Sequence, residues 1–213
     1  IAAMLSGDDQ LKQDLQGDLH QNTGDHFAEF SDCANSRRDF GKRFNNAIMM
    51  GISSYGVMDV CKKFFGDRSD LPTAEQVDSL YMDWWVRYPT LKSYRLEHAD
   101  YLQDLRDKNQ DYQIKYGRNM ATYRSEELKG EPYKETKARE WTEILRSTWS
   151  RYITAYEAAI VEGIFVLAHH HGLRMGLPMY DGAMWHVPDG FDWAGFVADA
   201  HGVLEQWSML GRS

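Results

Sequence analysis

The feature that most constrains the fold is one very long helical pattern. From about Lys134 to His171 the periodicity is helical, and Trp141, Leu145, Trp149, Tyr152, Tyr156 and Ile160 recur at the 3,4 spacing of a buried face. Gly172 then stands where helices commonly end in a left-handed residue. The three histidines at 169–171 close the pattern. Neighbouring residues on a helix point about 100° apart, so three in a row cannot all face one ion. They read as a helix-end cluster favoured by the macrodipole. Next comes "GLPMYDGAMWHV", residues 176–187, in which Asp181-Gly182 sits between two apolar runs. Such a pair is a hairpin signal, because both turn positions need positive φ. A last helix is expected from about Trp193 to Leu210.

Upstream, the chain is mostly helical in pattern. "IAAML" opens apolar, like the end of a strand, and Ser6 or Asp8 caps a short helix after it. Residues 32–65 read as helix with a break near Gly51 to Gly56. Thr73 and Gln76 have the spacing of a capping box. Pro89 divides the following stretch into two helices. "DYQIKYGRNMATY" has strand character around a turn at Gly117, and "SEELKGEPYKETK" is a polar loop. The fold class is α+β, mostly helical.

The 213 residues suffice for a sizeable core, and 43% hydrophobic content with 26% charged is ordinary for a globular protein. Seven Trp, twelve Tyr and nine Phe argue against disorder. The formal charge of -8 argues against nucleic-acid binding unless basic residues are local, and "RRDFGKR" at 37–43 is such a cluster. Cys33 and Cys61 lack metal-ligand spacing and read as reduced structural thiols. No apolar run reaches transmembrane length, and the start lacks the basic end of a signal peptide, so no membrane partner and a cytoplasmic location are expected.

Two motifs admit either a plain or a chemical reading. Arg38 and Lys42 share a helix face one turn apart, which suits a solvated face beside Asp39 or a clamp for a polyphosphate. Asp181 suits a turn or a metal-binding carboxylate held at a hairpin tip.

Taken in order, these motifs resemble the polymerase region of family A DNA polymerases, the DNA polymerase I type. "AAMLSGDDQLKQDLQGDLH" resembles the stretch that follows the first catalytic carboxylate motif. "RDFGKRFNNAIMMG" is similar to the nucleotide-binding helix of the fingers, with its pattern R-x3-K-x3-(F/Y)-x3-Y-G. "AEQVDSLYMDWWVRYPTLKSY" is similar to the helices after it. "YQIKYGRNMATY" resembles the F-G-R-x-R segment, and "LPMYDGAMWHV" lies where the family has its V-H-D-E hairpin. The resemblance covers nearly the whole chain.

It implies the fingers helices plus part of an antiparallel palm sheet with a catalytic hairpin. Residues 1–24 would be the end of the first palm strand and the following helix, 25–133 the fingers, and 134–213 the C-terminal part of the palm. The implied activity is template-directed DNA synthesis by two-metal phosphoryl transfer. Arg38, Lys42 and His20 would meet the incoming deoxynucleoside triphosphate, with Lys42 also neutralising or protonating the leaving pyrophosphate. Asp181 would be catalytic and hold Mg²⁺. The second carboxylate of that site is expected upstream of Ile1, and the terminal palm segment is missing, so the implied object is a fragment or split part of a divergent, phage-like enzyme. Its partners would be primer-template DNA and either the remaining N-terminal polymerase part or another replication protein.

The chain departs from the family pattern where rings normally meet the nucleotide. Asn46 and Met50 stand at the two aromatic positions of the fingers helix, and Ala47 at a glycine. Tyr180 replaces the His beside the aspartate, Gly182 replaces the Glu, and Tyr152 stands about where a DNA-touching Gln is usual. The triphosphate contacts are kept and the stacking contacts altered. A catalytically impaired, polymerase-like protein that binds nucleic acid or a replication partner is therefore the competing expectation. An unrelated helical interaction protein is a third.

Overall fold

The computed structural model describes residues 2–26, 34–66, 72–116, 119–124, 134–179 and 182–210. Three short helices lead, α1 (Ala2–Ser6), α2 (Asp9–Asp14) and α3 (Leu19–Asp25). Four longer ones follow, α4 (Ala34–Met49), α5 (Ser54–Phe65), α6 (Ala74–Arg87) and α7 (Pro89–Asp107). Strands β1 (Tyr112–Tyr116) and β2 (Asn119–Tyr123) pair antiparallel, with Tyr112 opposite Tyr123. The long helix α8 (Lys134–His170) leads to β3 (Arg174–Met179) and β4 (Gly182–His186), and α9 (Trp193–Leu210) comes last. The protein is thus mostly helical, with two separate antiparallel strand pairs among the described residues.

One expectation is overturned at the start. The opening run is the helix α1, not the end of a strand. Ala, Met and Leu are strong helix formers, and residues 2–5 contain no β-branched side chain to favour a strand. Ala2, Ala3 and Leu5 are buried there.

Local signals set the ends of several helices. Thr73 and Gln76 cap α6 reciprocally, at 3.2 and 2.8 Å. Pro89 opens α7 at its first position, where its missing N–H costs nothing. At the end of α4, Ile52 N–H donates to the Ala47 carbonyl at 3.0 Å and Gly51 N–H to the Ile48 carbonyl at 2.9 Å. These are the two bonds of a Schellman motif, and Gly51 holds the positive φ of 88° that it requires.

Asp8 does something no local pattern reports. One carboxylate oxygen accepts from Leu11 N–H at 2.9 Å and caps α2. The other accepts from Thr90 and Leu91 N–H at 3.1 and 3.0 Å, capping α7, which has no side-chain cap of its own. A single buried carboxylate thereby serves two helix N-termini, where partial positive charge favours it. Asp14 adds a second tie: Arg87 donates two bonds to it, at 2.6 and 2.8 Å, and Tyr88 Oη one at 2.7 Å.

The main core gathers Phe40, Phe44 and Ile48 of α4 with Val57 and Cys61 of α5 and the α6 tryptophans Trp84 and Trp85; Trp149 and Ile153 of α8 close it. Burial pushes the Cys61 thiol up to about 12, so it is an inert packing group. A smaller cluster of Leu102, Leu105, Tyr112, Ile114 and Ala155 joins α7, β1 and α8. The 3,4 face of α8 is borne out by buried Trp149 and Ile160 and half-buried Leu145, Tyr152 and Tyr156, with Ile153 buried as well. Within α8, the segment Thr142–His170 contains an 18-residue stretch of mean hydropathy 1.2, long and apolar enough to cross a membrane by length and composition. The sequence reading missed this because charged residues such as Glu157 and Glu162 interrupt every continuous apolar run. The helix buries Trp149, Ile153 and Ile160 within the protein, while 28% of that apolar stretch is buried and Val166 is exposed.

Candidate functional site

The residues expected to meet a triphosphate lie on α3 and α4, and two glycines decide how closely those helices approach. A Cβ on Gly41 would lie 2.0 Å from the His20 carbonyl oxygen, and one on Gly24 would lie 2.1 Å from that of Arg37. Backbone therefore packs on backbone. This contact sets His20 of α3 beside the turn of α4 that carries Arg38, Lys42 and Asn45.

Asn45, which no sequence motif singled out, is the hub of that contact. It is fully buried. Its Oδ1 accepts from Trp84 Nε1 at 2.9 Å and lies 3.1 Å from the Thr23 hydroxyl. Its Nδ2 donates to the Leu19 carbonyl at 3.4 Å and lies 3.2 Å from His20 Nδ1. With Asn45 Oδ1 already accepting from Trp84, the amide nitrogen is the donor towards His20, and neutral His20 then carries its proton on Nε2. Partial burial, reinforced by the Arg38 cation, lowers the His20 pKa and holds the ring neutral at physiological pH. His20 is thereby arranged as an N–H donor beside two cations.

Arg38 and Lys42 are both exposed on one face of α4, as the spacing predicts. Arg38 Nε donates to Asp18 at 2.7 Å, and the other Asp18 oxygen caps α3 through Gln21 N–H at 2.9 Å. The Asp18 hydrogen bond raises the Arg38 pKa, so the guanidinium stays charged. Only Nε of Arg38 is held by Asp18, so an anion arriving at this face can meet the other guanidinium N–H groups.

Asn46 is exposed one turn beyond Lys42. Met50, half-buried, lies against α8, where the Ser150 hydroxyl approaches its sulfur at 3.6 Å. Gly51 is locked in place: Arg95 donates to its carbonyl at 3.1 Å, and Trp149 Nε1 donates to the Met49 carbonyl at 2.6 Å. Tyr152 is not on this face. It stands in an aromatic cluster with its hydroxyl 2.6 Å from that of Tyr94. Tyr180 and Asp181 lie outside the described residues. The strands on either side of them form the expected hairpin, with Met179 opposite Gly182 and a register shift between Met175 and Leu177.

Among the described residues no group of three His, Cys, Asp or Glu side chains is placed to hold a metal ion. Of the histidine tract, His169 and His170 end α8, and His171 pairs with Asp199 of α9 at 2.9 Å. No protein-family model matches the chain, and no curated protein matches it either.

Proposed function

We propose that this chain is the fingers and C-terminal palm portion of a divergent family A DNA polymerase, which binds deoxynucleoside triphosphates on the α3–α4 face and primer-template DNA beside it. The observation that carries this reading is the grouping of Arg38 and Lys42 on one face with His20 held neutral beside them by Asn45. Two fixed positive charges and a directed N–H donor suit the oxygens of a triphosphate. In the reaction, a primer 3′-hydroxyl oxygen attacks the α-phosphorus and its proton passes to water, the bond from that phosphorus to the bridging oxygen of the β-phosphate breaks, and pyrophosphate leaves. Arg38 and His20 hold the non-transferred phosphates, and Lys42 balances or protonates the pyrophosphate as charge develops on it. Mg²⁺, when held by Asp181 and an upstream carboxylate, would supply charge stabilisation at the reacting phosphate.

Titration of a deoxynucleoside triphosphate into the protein tests this. Arg38→Ala or Lys42→Ala should each weaken binding by about 1.5–3 kcal/mol while altering DNA affinity far less. Equal loss for DNA and nucleotide would reduce the face to a general basic patch. Asn46 and Met50 support a second reading, a polymerase-like binding protein, because neither can stack on a base. Single-nucleotide incorporation with the upstream segment supplied separates the two. Asn46→Tyr should raise nucleotide affinity or change analogue preference in a working polymerase, and Asp181→Asn should abolish incorporation.

A further inference from the structure

A second concave site lies away from the α3–α4 face, between α7, β1 and α8. The cavity is about 400 Å³. Its wall is made of the rings of Tyr94, Tyr101, Tyr112, Tyr152 and Tyr156, with the Glu97 carboxylate at its edge and His98 in its lining. His98 packs its ring against Tyr112, Trp149 and Tyr152, with centroids 5.6, 5.4 and 5.1 Å away. Its Nε2 is fully buried and has no hydrogen-bond partner among the described residues.

The charge of the lining selects the ligand. Burial pushes the His98 pKa down to about 4, so the ring is neutral near pH 7. Burial likewise raises the phenols of Tyr94, Tyr112, Tyr152 and Tyr156, which stay protonated. Among the described residues of the lining, Glu97 is then the one formal charge. Arg95, whose field reaches His98, is held elsewhere: its guanidinium lies 5.2 Å from the Trp85 ring centre and donates to the Gly51 carbonyl. Tyrosine faces carry negative potential and attract organic cations.

We propose that this cavity binds an alkylammonium head group, which lies over the tyrosine faces and pairs with Glu97. That chemistry belongs equally to a free polyamine and to a lysine side chain of a partner protein. The site is independent of the triphosphate face and does not rest on the polymerase reading.

Calorimetric titration of the whole chain with n-butylammonium and with its neutral isostere n-butanol tests it. The cation should bind about tenfold tighter or better. Glu97→Gln, at an exposed position that tolerates the change, should remove most of that preference. Spermidine and an N-acetyl-lysine amide then separate the sources, and the tighter of the two names the natural one. Equal binding of butylammonium and butanol, no saturable binding of either, or an unchanged preference in Glu97→Gln overturns the assignment.

Discussion

At the α3–α4 contact, two glycines let backbones touch and a buried asparagine links Trp84, His20 and the Leu19 carbonyl. At the β3–β4 hairpin, Met175, Leu177 and Met184 stand exposed, as do Val166 of α8 and Trp193 and Val197 of α9. The resemblance assigns chemistry to both regions, yet their construction differs. The first fixes its side chains by packing that tolerates no added atom. The second is a two-stranded unit, a size that is marginal on its own, with large apolar side chains left in water. A rigid site can be read from the residues that hold it. A hairpin with few holding contacts gives little beyond its register.

The sharpest way to break this contrast is to add one methyl group to each region. Gly41→Ala places a carbon within 2.0 Å of the His20 carbonyl oxygen, and no flexible side chain is there to move aside. The helices must separate, so urea unfolding should show a loss of about 3 kcal/mol or more. Gly202→Ala in α9 meets nothing within 4 Å. It should be neutral or stabilise by up to about 1 kcal/mol, since alanine suits a helix better than glycine. Comparable losses at the two positions would erase the distinction.

The hub comes next in size. Asn45→Ala leaves Trp84 Nε1–H buried without its 2.9 Å acceptor, at a cost of about 2–3 kcal/mol. It also frees His20, so triphosphate affinity should fall although Arg38 and Lys42 are untouched. Adding Trp84→Phe removes the orphaned donor. The double variant should recover part of the stability, and none of the nucleotide affinity. Strictly additive stability losses would show that the Asn45–Trp84 bond is not the coupling between them.

Buried and exposed titrating groups extend the comparison to pH. His98 stays neutral in the folded protein down to about pH 4, against an ordinary value of 6.5. Between those values the unfolded chain takes up a proton that the folded chain refuses, so stability falls as pH drops through the window. The loss should be on the order of 2–3 kcal/mol. His98→Phe should flatten that stretch of a urea-midpoint profile. Asp14 acts lower: the Arg87 hydrogen bonds hold its carboxyl below 3.8, so the stability it lends is complete above the ordinary carboxylate range and is lost as pH falls through its depressed value.

What the sequence disclosed follows the range of each interaction. The capping box at Thr73, the break at Pro89, the glycine ending α4 and the shared face of Arg38 and Lys42 are all decided within a few residues, and all were legible. Asp8 reaching Thr90, Asn45 reaching Trp84 and Gly41 meeting His20 join residues far apart in the chain, and no local periodicity encodes them. Arg38 is instructive in between. Its face was legible, while its engagement with Asp18 was not, because that pairing depends on how α3 lies against α4. The strand expected at the start failed for a local reason: an apolar run was weighed by its hydrophobicity and not by the helix propensity of Ala, Met and Leu.

The smallest expected effect tests the loosely held region directly. His171, at the end of α8, lies 2.9 Å from Asp199 of α9, and the Asp199 side chain is 61% exposed. Its ring also packs beside Phe196, with centroids 5.5 Å apart. Ion pairs in such exposed positions contribute roughly 0–1 kcal/mol. The Asp14–Arg87 pair differs in the burial of its carboxylate, which is 10% exposed and takes a third bond from Tyr88. Asp199→Asn should therefore move the urea midpoint hardly at all, whereas Asp14→Asn should lower it clearly. Hydrogen exchange supplies the finer reading. If the pair helps hold α9 against α8, amides of α9 should lose protection in Asp199→Asn while those of α4 keep theirs, because a local opening does not require the main core to unfold. Loss of protection in both helices would mean that the C-terminal helix is coupled to the core as tightly as α3 is to α4.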